Sequence, residues 1–304
     1  MKIALIGLGR IAQKAYLPIL ANQAEVEPML CTRNASTLEV LSKKYRIDKT
    51  YTDLERLIRS KPDAAMVHSS TNSHAAIASK LLKAGIPVFV DKPLSYSLAE
   101  AETILELAAK EQVPLYLGFN RRFAPLIRSL SKVPEPIQVN WQKNRVALPG
   151  DPRVFIFDDF IHVVDSLRFL GKGPVRNLQV FARLKEGLLE NIQVQWQQGN
   201  TLLSGGMNRV SGITEERVEL YSTGNKWTID NLSSGVHSTN EQSSVINFDS
   251  WDTTLYKRGF VDMIEDWMQV VQARSFNADH QKGIWETHYW CETILSKALG
   301  TSQL

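Results

Sequence analysis

"MKIALIGLGRIA", residues 1–12, decides how the chain is read. Residues 3–6 are an unbroken apolar run, the pattern of a strand buried on both faces. Gly7-Leu8-Gly9-Arg10-Ile11-Ala12 follows as G-x-G-x-x-A and leads into a helical segment. The first glycine permits a tight turn, and the second lets the backbone approach a pyrophosphate. The small Ala12 lets helix and strand pack closely. The helix start at Arg10 and Ile11 offers free N–H groups and a positive dipole end to phosphates. The turn therefore marks a dinucleotide site formed by Gly7, Gly9, Arg10 and Ile11. A secretory signal would also begin with a lysine and an apolar run. This run breaks at Gly7 and Gly9, so a strand and turn explain it better.

Outward from that turn, the first 120 residues alternate apolar runs with helical patterns. "VEPMLCT", "DAAMVHSS", "PVFVD" and "PLYLGF" read as further strands. Helices are expected over residues 10–21, near 36–45, from about Ser73 to Lys83, and from Ser97 to Glu111. Such alternation with short connections implies a parallel sheet covered on both faces, binding ligands at the carboxyl ends of its strands. After about residue 121 the pattern changes. "IQVNWQKNR", "RNLQVFARLK", "ENIQVQWQQ", "TLLSGGMNRV", "RVELYS" and "KWTIDN" alternate apolar and polar residues, as strands of a mainly antiparallel, open-faced sheet do. Two helices, roughly 254–274 and 283–298, close the chain. The expected architecture is α/β. A Rossmann domain spans 1–120 and an α/β substrate and oligomerisation domain spans 121–304, with the C-terminal helices able to pack back on the first.

The bulk numbers agree with a globular protein of two domains. The chain has 304 residues, is 43% hydrophobic and 22% charged, and carries a net charge of +3. Its lysines and arginines form no basic run, which argues against nucleic acid. Cys31 and Cys291 form no motif, which suits a reducing cytosol. No apolar stretch is long enough to span a bilayer. A cytoplasmic location is therefore expected, without a membrane partner.

Several residues stand where chemistry would be placed. The second strand ends in Cys31-Thr32-Arg33-Asn34, without the acid that usually holds both ribose hydroxyls of NAD. Thr32 can hydrogen-bond a 2′-phosphate and Arg33 can pair with it, which favours NADP(H). If Arg33 is only an exposed loop cation, NAD binds as well. Asp91 and Lys92 end the run "IPVFV", and a lysine at a strand's carboxyl end can stabilise negative charge developing on a reacting oxygen. Taken alone, Asp-Lys-Pro is equally an ordinary turn. Asn120 and Arg121 follow the last strand, and a cofactor contact and a hinge role fit them equally. His74 opens the third helix and could equally support its loop.

"FDDFIHVVDSLRFLG", residues 157–171, adds a further candidate. At 100° per residue, Asp158, His162, Asp165 and Phe169 fall within one arc. Phe160, Val163, Val164, Leu167 and Leu170 fall on the other side. Asp158 could simply cap the helix, with His162 one turn on and the face wet. Set beside a nicotinamide site, the same face suits catalysis, because an imidazole titrates near neutral pH. No cluster of His, Cys or Asp suggests a metal.

With these motifs together, the chain resembles the Gfo/Idh/MocA oxidoreductases over essentially its whole length. The matching segments are the glycine turn, "HSSTNSHAAIASKLLKAG", "VFVDKP", "GFNRRFAP" and "DDFIHVVDSLRFLG". Within the family, the likeness is nearest to the bacterial MviM-type branch. The resemblance implies hydride exchange between NAD(P) and a hydroxyl or carbonyl carbon of a sugar, cyclitol or related polyol. It implies a catalytic set of Lys92, His162 and Asp158, with Asp158 the substrate-binding acidic partner of His162. It further implies that the loop Ser69-Ser70-Thr71, aligned on His74, contacts the nicotinamide side of the cofactor, with His74 and Asp91 among the cofactor-binding residues. It also implies a homo-oligomer, dimer or tetramer, built through the C-terminal sheet. Two departures stand out. Asp91 replaces the family's usual glutamate, and Ser69-Ser70-Thr71 stand where many members have Thr-Pro-Asn. The alternatives are a non-catalytic dinucleotide-binding sensor and, ranked lower, an NAD-assisted glycosidase.

Overall fold

The computed structural model describes residues 1–300. Its internal contacts divide the chain into two units. The first holds Met1–Gly118 and Phe260–Glu286, and the second holds Phe119–Gly259 and the chain from Thr287 on.

In the first unit six strands form one parallel sheet. They are β1 (Lys2–Ile6), β2 (Glu27–Cys31), β3 (Thr50–Tyr51), β4 (Ala64–Val67), β5 (Val88–Val90) and β6 (Leu115–Leu117). Their order is β3-β2-β1-β4-β5-β6. The order reverses at β1, so the crevice at the carboxyl ends opens beside the glycine turn. The inner strands are buried at nearly every residue, which is why they read as apolar runs rather than as alternations. The crossover helices begin where side chains supply an acceptor. Asn34 takes the Thr37 N–H at 2.9 Å and Asp53 takes that of Arg56 at 2.7 Å. Tyr16, His68, Phe89, Tyr116 and Trp267 pack as one aromatic cluster, and the Tyr116 hydroxyl donates to Asp266 at 2.7 Å.

The first helix departs from the regular one expected over 10–21. Ala12–Tyr16 form a π turn, closed by the Leu17 N–H on the Ala12 carbonyl, before Leu17–Leu20 resume α geometry. Pro18 lacks the N–H that would bond Lys14, and its ring crowds that carbonyl; a wider turn relieves both.

The second unit carries an eight-stranded sheet. Its strands are β7 (Gln138–Asn144), β8 (Val175–Lys185), β9 (Leu188–Gln198), β10 (Thr201–Asn208), β11 (Glu215–Ser222), β12 (Asn225–Asp230), β13 (Ser234–Thr239) and β14 (Gln242–Asn247). The order is β14-β13-β12-β11-β7-β10-β9-β8, antiparallel except where β7 meets β10. Ile192, Val194 and Trp196 of β9 point inward, while Gln193, Gln195 and Gln197 are exposed. The helix Ile161–Leu170 lies on β7 and β10.

Besides the two-residue β3 and the helix Leu54–Arg59 of the first unit, the sequence reading missed β13 and β14. Both are polar, and the turn between them is Asn240-Glu241, with φ of 49° and 63°. That turn conformation usually announces itself with a glycine, which is absent here. The helix expected over 254–274 is two, Thr254–Lys257 and Phe260–Ala273, broken at Gly259 with φ +76°. A Cβ at Gly259 would sit 2.3 Å from both Ala124 N and Asn120 O, so the chain must pass there without a side chain. The last helix begins earlier than expected, at Ala278. Among the described residues no helix is long and apolar enough to cross a membrane.

Candidate active site

The carboxyl ends of β1, β2, β4 and β5 bring four predicted segments to one edge of the first sheet. At β1, Gly7 has φ +86° and donates its N–H to the Cys31 carbonyl at 3.0 Å. A Cβ there would lie 2.5 Å from the Ser69 nitrogen, so no other residue fits without displacing the β4 loop. A Cβ on Gly9 would meet nothing within 4 Å. Open space above a glycine at a helix start is what a pyrophosphate requires, and the residues present therefore fit a dinucleotide. Arg10 and Ile11 flank that opening and are exposed.

Thr32 is half-buried after β2, and its hydroxyl accepts the Asn34 N–H at 3.3 Å. Arg33 is exposed beside it. After β4, Ser73 donates to the Ser69 hydroxyl at 2.8 Å, while Ser70 and Thr71 begin the helix Thr71–Lys83. His74 is buried, with Nδ1 at 2.8 Å from the Pro93 carbonyl and Nε2 at 3.0 Å from that of Ser69. It ties the Ser69 loop to the Asp91-Lys92-Pro93 turn.

Asp91 and Lys92 follow β5 and are half-buried. One oxygen of Asp91 accepts both the Tyr16 hydroxyl and the Lys92 N–H, each at 3.0 Å. Burial pushes the Asp91 carboxyl above its usual range, against the opposing pull of Lys92 and the Tyr16 bond. The same burial, then the neighbouring carboxylate, raises the Tyr16 phenol. The Tyr16 ring stacks on His68 at 3.9 Å. Burial and His74 hold the His68 imidazole down at about 3, so it stays neutral. No sequence signal marked Tyr16, because its reach to Asp91 depends on the π turn.

In the second unit the helical stretch around His162 differs from the expected one. Asp151, not Asp158, caps it, accepting the Val154 N–H at 3.0 Å. Ile156–Phe160 then form a second π turn before Ile161–Leu170 continue as an α-helix. The 100° count therefore holds from His162 through Asp165 to Phe169, whereas Asp158 lies inside the π turn, where each residue turns through a smaller angle. Nor is the face wet, since every residue from Ile161 to Leu167 is buried. His162 is 8% exposed and Asp158 is half-buried. Asp165 is taken by Arg122, with contacts of 2.8 Å to Nε and a second to Nη2, and by the Thr287 hydroxyl at 3.0 Å.

Asn120 and Arg121 are both buried in this unit. Asn120 donates to the Arg258 carbonyl at 2.8 Å, and Arg121 grips Glu216 through two bonds of 2.6 and 2.8 Å. Trp141 Nε1 donates to the same carboxylate at 3.0 Å. Beside that pair is a cluster the sequence reading did not single out. Asp159 accepts from Lys143, from Arg145 at 3.1 Å and from Arg209 at 3.2 Å. Burial raises the Asp159 carboxyl, but the cations overcome it and hold it well below the carboxylate range. Burial pushes the Lys143 ammonium down to about 7, helped by Arg121 and opposed by Asp159. A signal was available: on β7 the inward positions are Val139, Trp141 and Lys143, and on β11 they are Glu216, Val218 and Leu220. A charge on an apolar face needs a partner.

Comparison with known proteins agrees with this construction. The oxidoreductase family with an NAD-binding Rossmann fold, Gfo/Idh/MocA, matches residues 1–119, and the YceM-like C-terminal domain matches residues 128–240. A Salmonella typhimurium protein named oxidoreductase YceM is 33% identical over 90% of either chain. This chain belongs to the Gfo/Idh/MocA family. A crystal structure of a Gfo/Idh/MocA family oxidoreductase from Vibrio cholerae superposes with a TM-score of 0.94 at 39% identity, covering 99% of this chain and 98% of that one. A Thermotoga maritima myo-inositol 2-dehydrogenase is 26% identical over 81% of this chain and 72% of its own. As a Gfo/Idh/MocA protein, the chain has an NAD-binding Rossmann domain in its first unit and a mixed, mostly antiparallel sheet in its second.

Proposed function

We propose that this family member is an NAD(P)-dependent dehydrogenase acting on a CH–OH carbon of a small polyol, sugar or cyclitol. The observation that carries the reading is the single sheet edge on which the open glycine turn, the Ser69 loop and Lys92 are brought together. The likeness to a myo-inositol 2-dehydrogenase supports the polyol class. The bound nicotinamide supplies the hydride chemistry. Gly7, Gly9, Arg10 and Ile11 hold the pyrophosphate. Thr32 and Arg33, in the absence of a ribose-binding acid, favour NADP over NAD. Lys92 donates a hydrogen bond to the reacting oxygen and stabilises its charge. Asp91, fixed by Tyr16, keeps the Lys92 backbone in place. His162 takes the hydroxyl proton in oxidation and returns it in reduction, and Asp158 binds a substrate hydroxyl. The open polar face of the second sheet is the proposed surface for self-association, which light scattering tests directly.

The test starts with fluorescence titration of NADPH and NADH, followed by a polyol panel read by nicotinamide absorbance. NADPH is expected to bind more tightly. His162→Ala and Lys92→Ala are each expected to keep cofactor affinity and lose about 10²–10⁴-fold in turnover. Full activity in both variants would refute the assigned roles.

A further inference from the structure

We propose that the substrate of this site carries an anionic group, a carboxylate or phosphate, which Arg145 and Arg258 receive. The inference rests on the dehydrogenase reading above and specifies its substrate class.

The argument begins with charge. In the second unit Lys143, Arg145 and Arg209 converge on Asp159, Arg121 on Glu216, and Asn120 bonds both the Arg121 guanidinium and the Arg258 carbonyl, so the five cations form one chain of neighbours facing Glu216, Asp159, Asp158 and Asp165. Glu216 is engaged by Arg121. Asp159 alone receives Lys143, Arg145 and Arg209. Asp158 contributes to the field at Arg209, and Asp165 is committed to Arg122. Five cations thus share three carboxylates. An uncompensated positive charge held away from water is unfavourable, and an anion from outside removes the excess.

Accessibility then separates the cations. Lys143, Arg121 and Arg209 have side chains no more than 8% exposed, whereas that of Arg145 is 32% exposed and Arg258 is exposed. The Arg258 guanidinium makes no hydrogen bond or ion pair among the described residues. The protein around it, then Arg121 and Arg145, hold it below its ordinary value against the pull of Glu216.

Arg258 is also held in position. Its carbonyl accepts from Asn120, and the next residue, Gly259, runs against the Asn120 and Ala124 backbone with no room for a Cβ. A guanidinium on a fixed backbone is preorganised for a bidentate oxyanion. Arg145 is paired with Asp159, the chain neighbour of Asp158, so the anion would sit on the substrate beside the hydroxyls that Asp158 and His162 handle.

The test measures binding of glucuronate, glucose 6-phosphate, inorganic phosphate and uncharged glucose to the NADPH-loaded protein by isothermal titration. The anionic probes are expected to bind at least about tenfold more tightly than glucose, and the affinity to fall with added KCl. The carboxylate and phosphate arms tell which oxyanion is preferred. Arg145→Gln and Arg258→Gln, checked for folding by thermal melting, should each cost about tenfold or more for the anions and leave glucose unchanged. Equal affinity for charged and uncharged probes, no binding by any anion, or insensitivity to both substitutions and to salt would overturn the proposal. The two readings separate cleanly. Turnover of a neutral polyol without anion dependence would keep the dehydrogenase and remove the anion site. Arginine-dependent anion binding that survives while no polyol or its anion ever alters nicotinamide absorbance would do the reverse.

Discussion

Asp159→Asn is the substitution that most sharply tests the buried charge cluster. Asparagine keeps the shape and removes the negative charge on which Lys143, Arg145 and Arg209 converge. Breaking a buried pair by removing one partner typically costs 3–5 kcal/mol, because the remaining charge stays buried. Arg145 can turn to water, so its share is small. Lys143 and Arg209 cannot, which places the expected loss at about 3 kcal/mol near pH 6.

The loss should depend on pH in a definite direction. Lys143 titrates at about 7 in the folded chain, and Asp159 is one of the charges that keeps it that high. Without Asp159 the ammonium releases its proton at lower pH, so the folded variant binds fewer protons than the native fold just below pH 7. Stability then rises more steeply with pH in the variant than in the parent. The deficit is largest near pH 5–6 and shrinks by about pH 8, once Lys143 is neutral in both. Urea unfolding read by tryptophan fluorescence is suitable, since Trp141 lies buried on the same strand as Lys143. A deficit below about 1 kcal/mol, or one unchanged between pH 5.5 and 8, would show that the cluster does not hold its charges in the way described.

Two further outcomes follow from the same geometry. Gly7→Ala places a Cβ 2.5 Å from the Ser69 nitrogen at a φ of +86°; NADPH titration should show binding lost, and melting a destabilisation of about 1–3 kcal/mol, whereas unchanged binding would remove the glycine turn from the cofactor site. Glu216 has its carboxyl lowered to about 2, by Arg121 first and against burial. Its folded value lies below the unfolded one, so its contribution of about 3 kcal/mol is present above pH 4.3 and disappears as the pH falls toward 2; acid titration of Glu216→Gln should show that part of the acid sensitivity gone.

The first sheet was readable because its physics is local. Four-residue apolar runs and the G-x-G-x-x-A turn each report their own conformation, whereas the two-residue β3 and the short helix Leu54–Arg59 after it are too brief to leave a period. The second sheet was readable where burial alternates, as on β9, and unreadable on β13 and β14, whose polar residues gain their strand geometry only from pairing, β13 with β12 and β14 with β13. At the candidate site, the one-dimensional pattern singled out Lys92, His162 and the loop serines as candidates. It could not show that Asn120 and Arg121 are spent on Arg258 and Glu216, because those bonds span 138 and 95 residues. The helical count failed across Ile156–Phe160 for a different reason: π geometry leaves no mark in composition.

That short stretch sets a rule for how this chain can vary. A version one residue shorter between 156 and 160 would close an ordinary α turn, and because the wide turn already absorbs that extra residue, the helix after it would keep its direction. The imidazole of His162 would stay where it is, while the spacing between it and Asp158 inside the turn would shrink, with no polar side chain deleted. Spacing in that turn is thus as consequential as identity, and an insertion or deletion there should be counted among changes to the chemistry, not among changes to a loop.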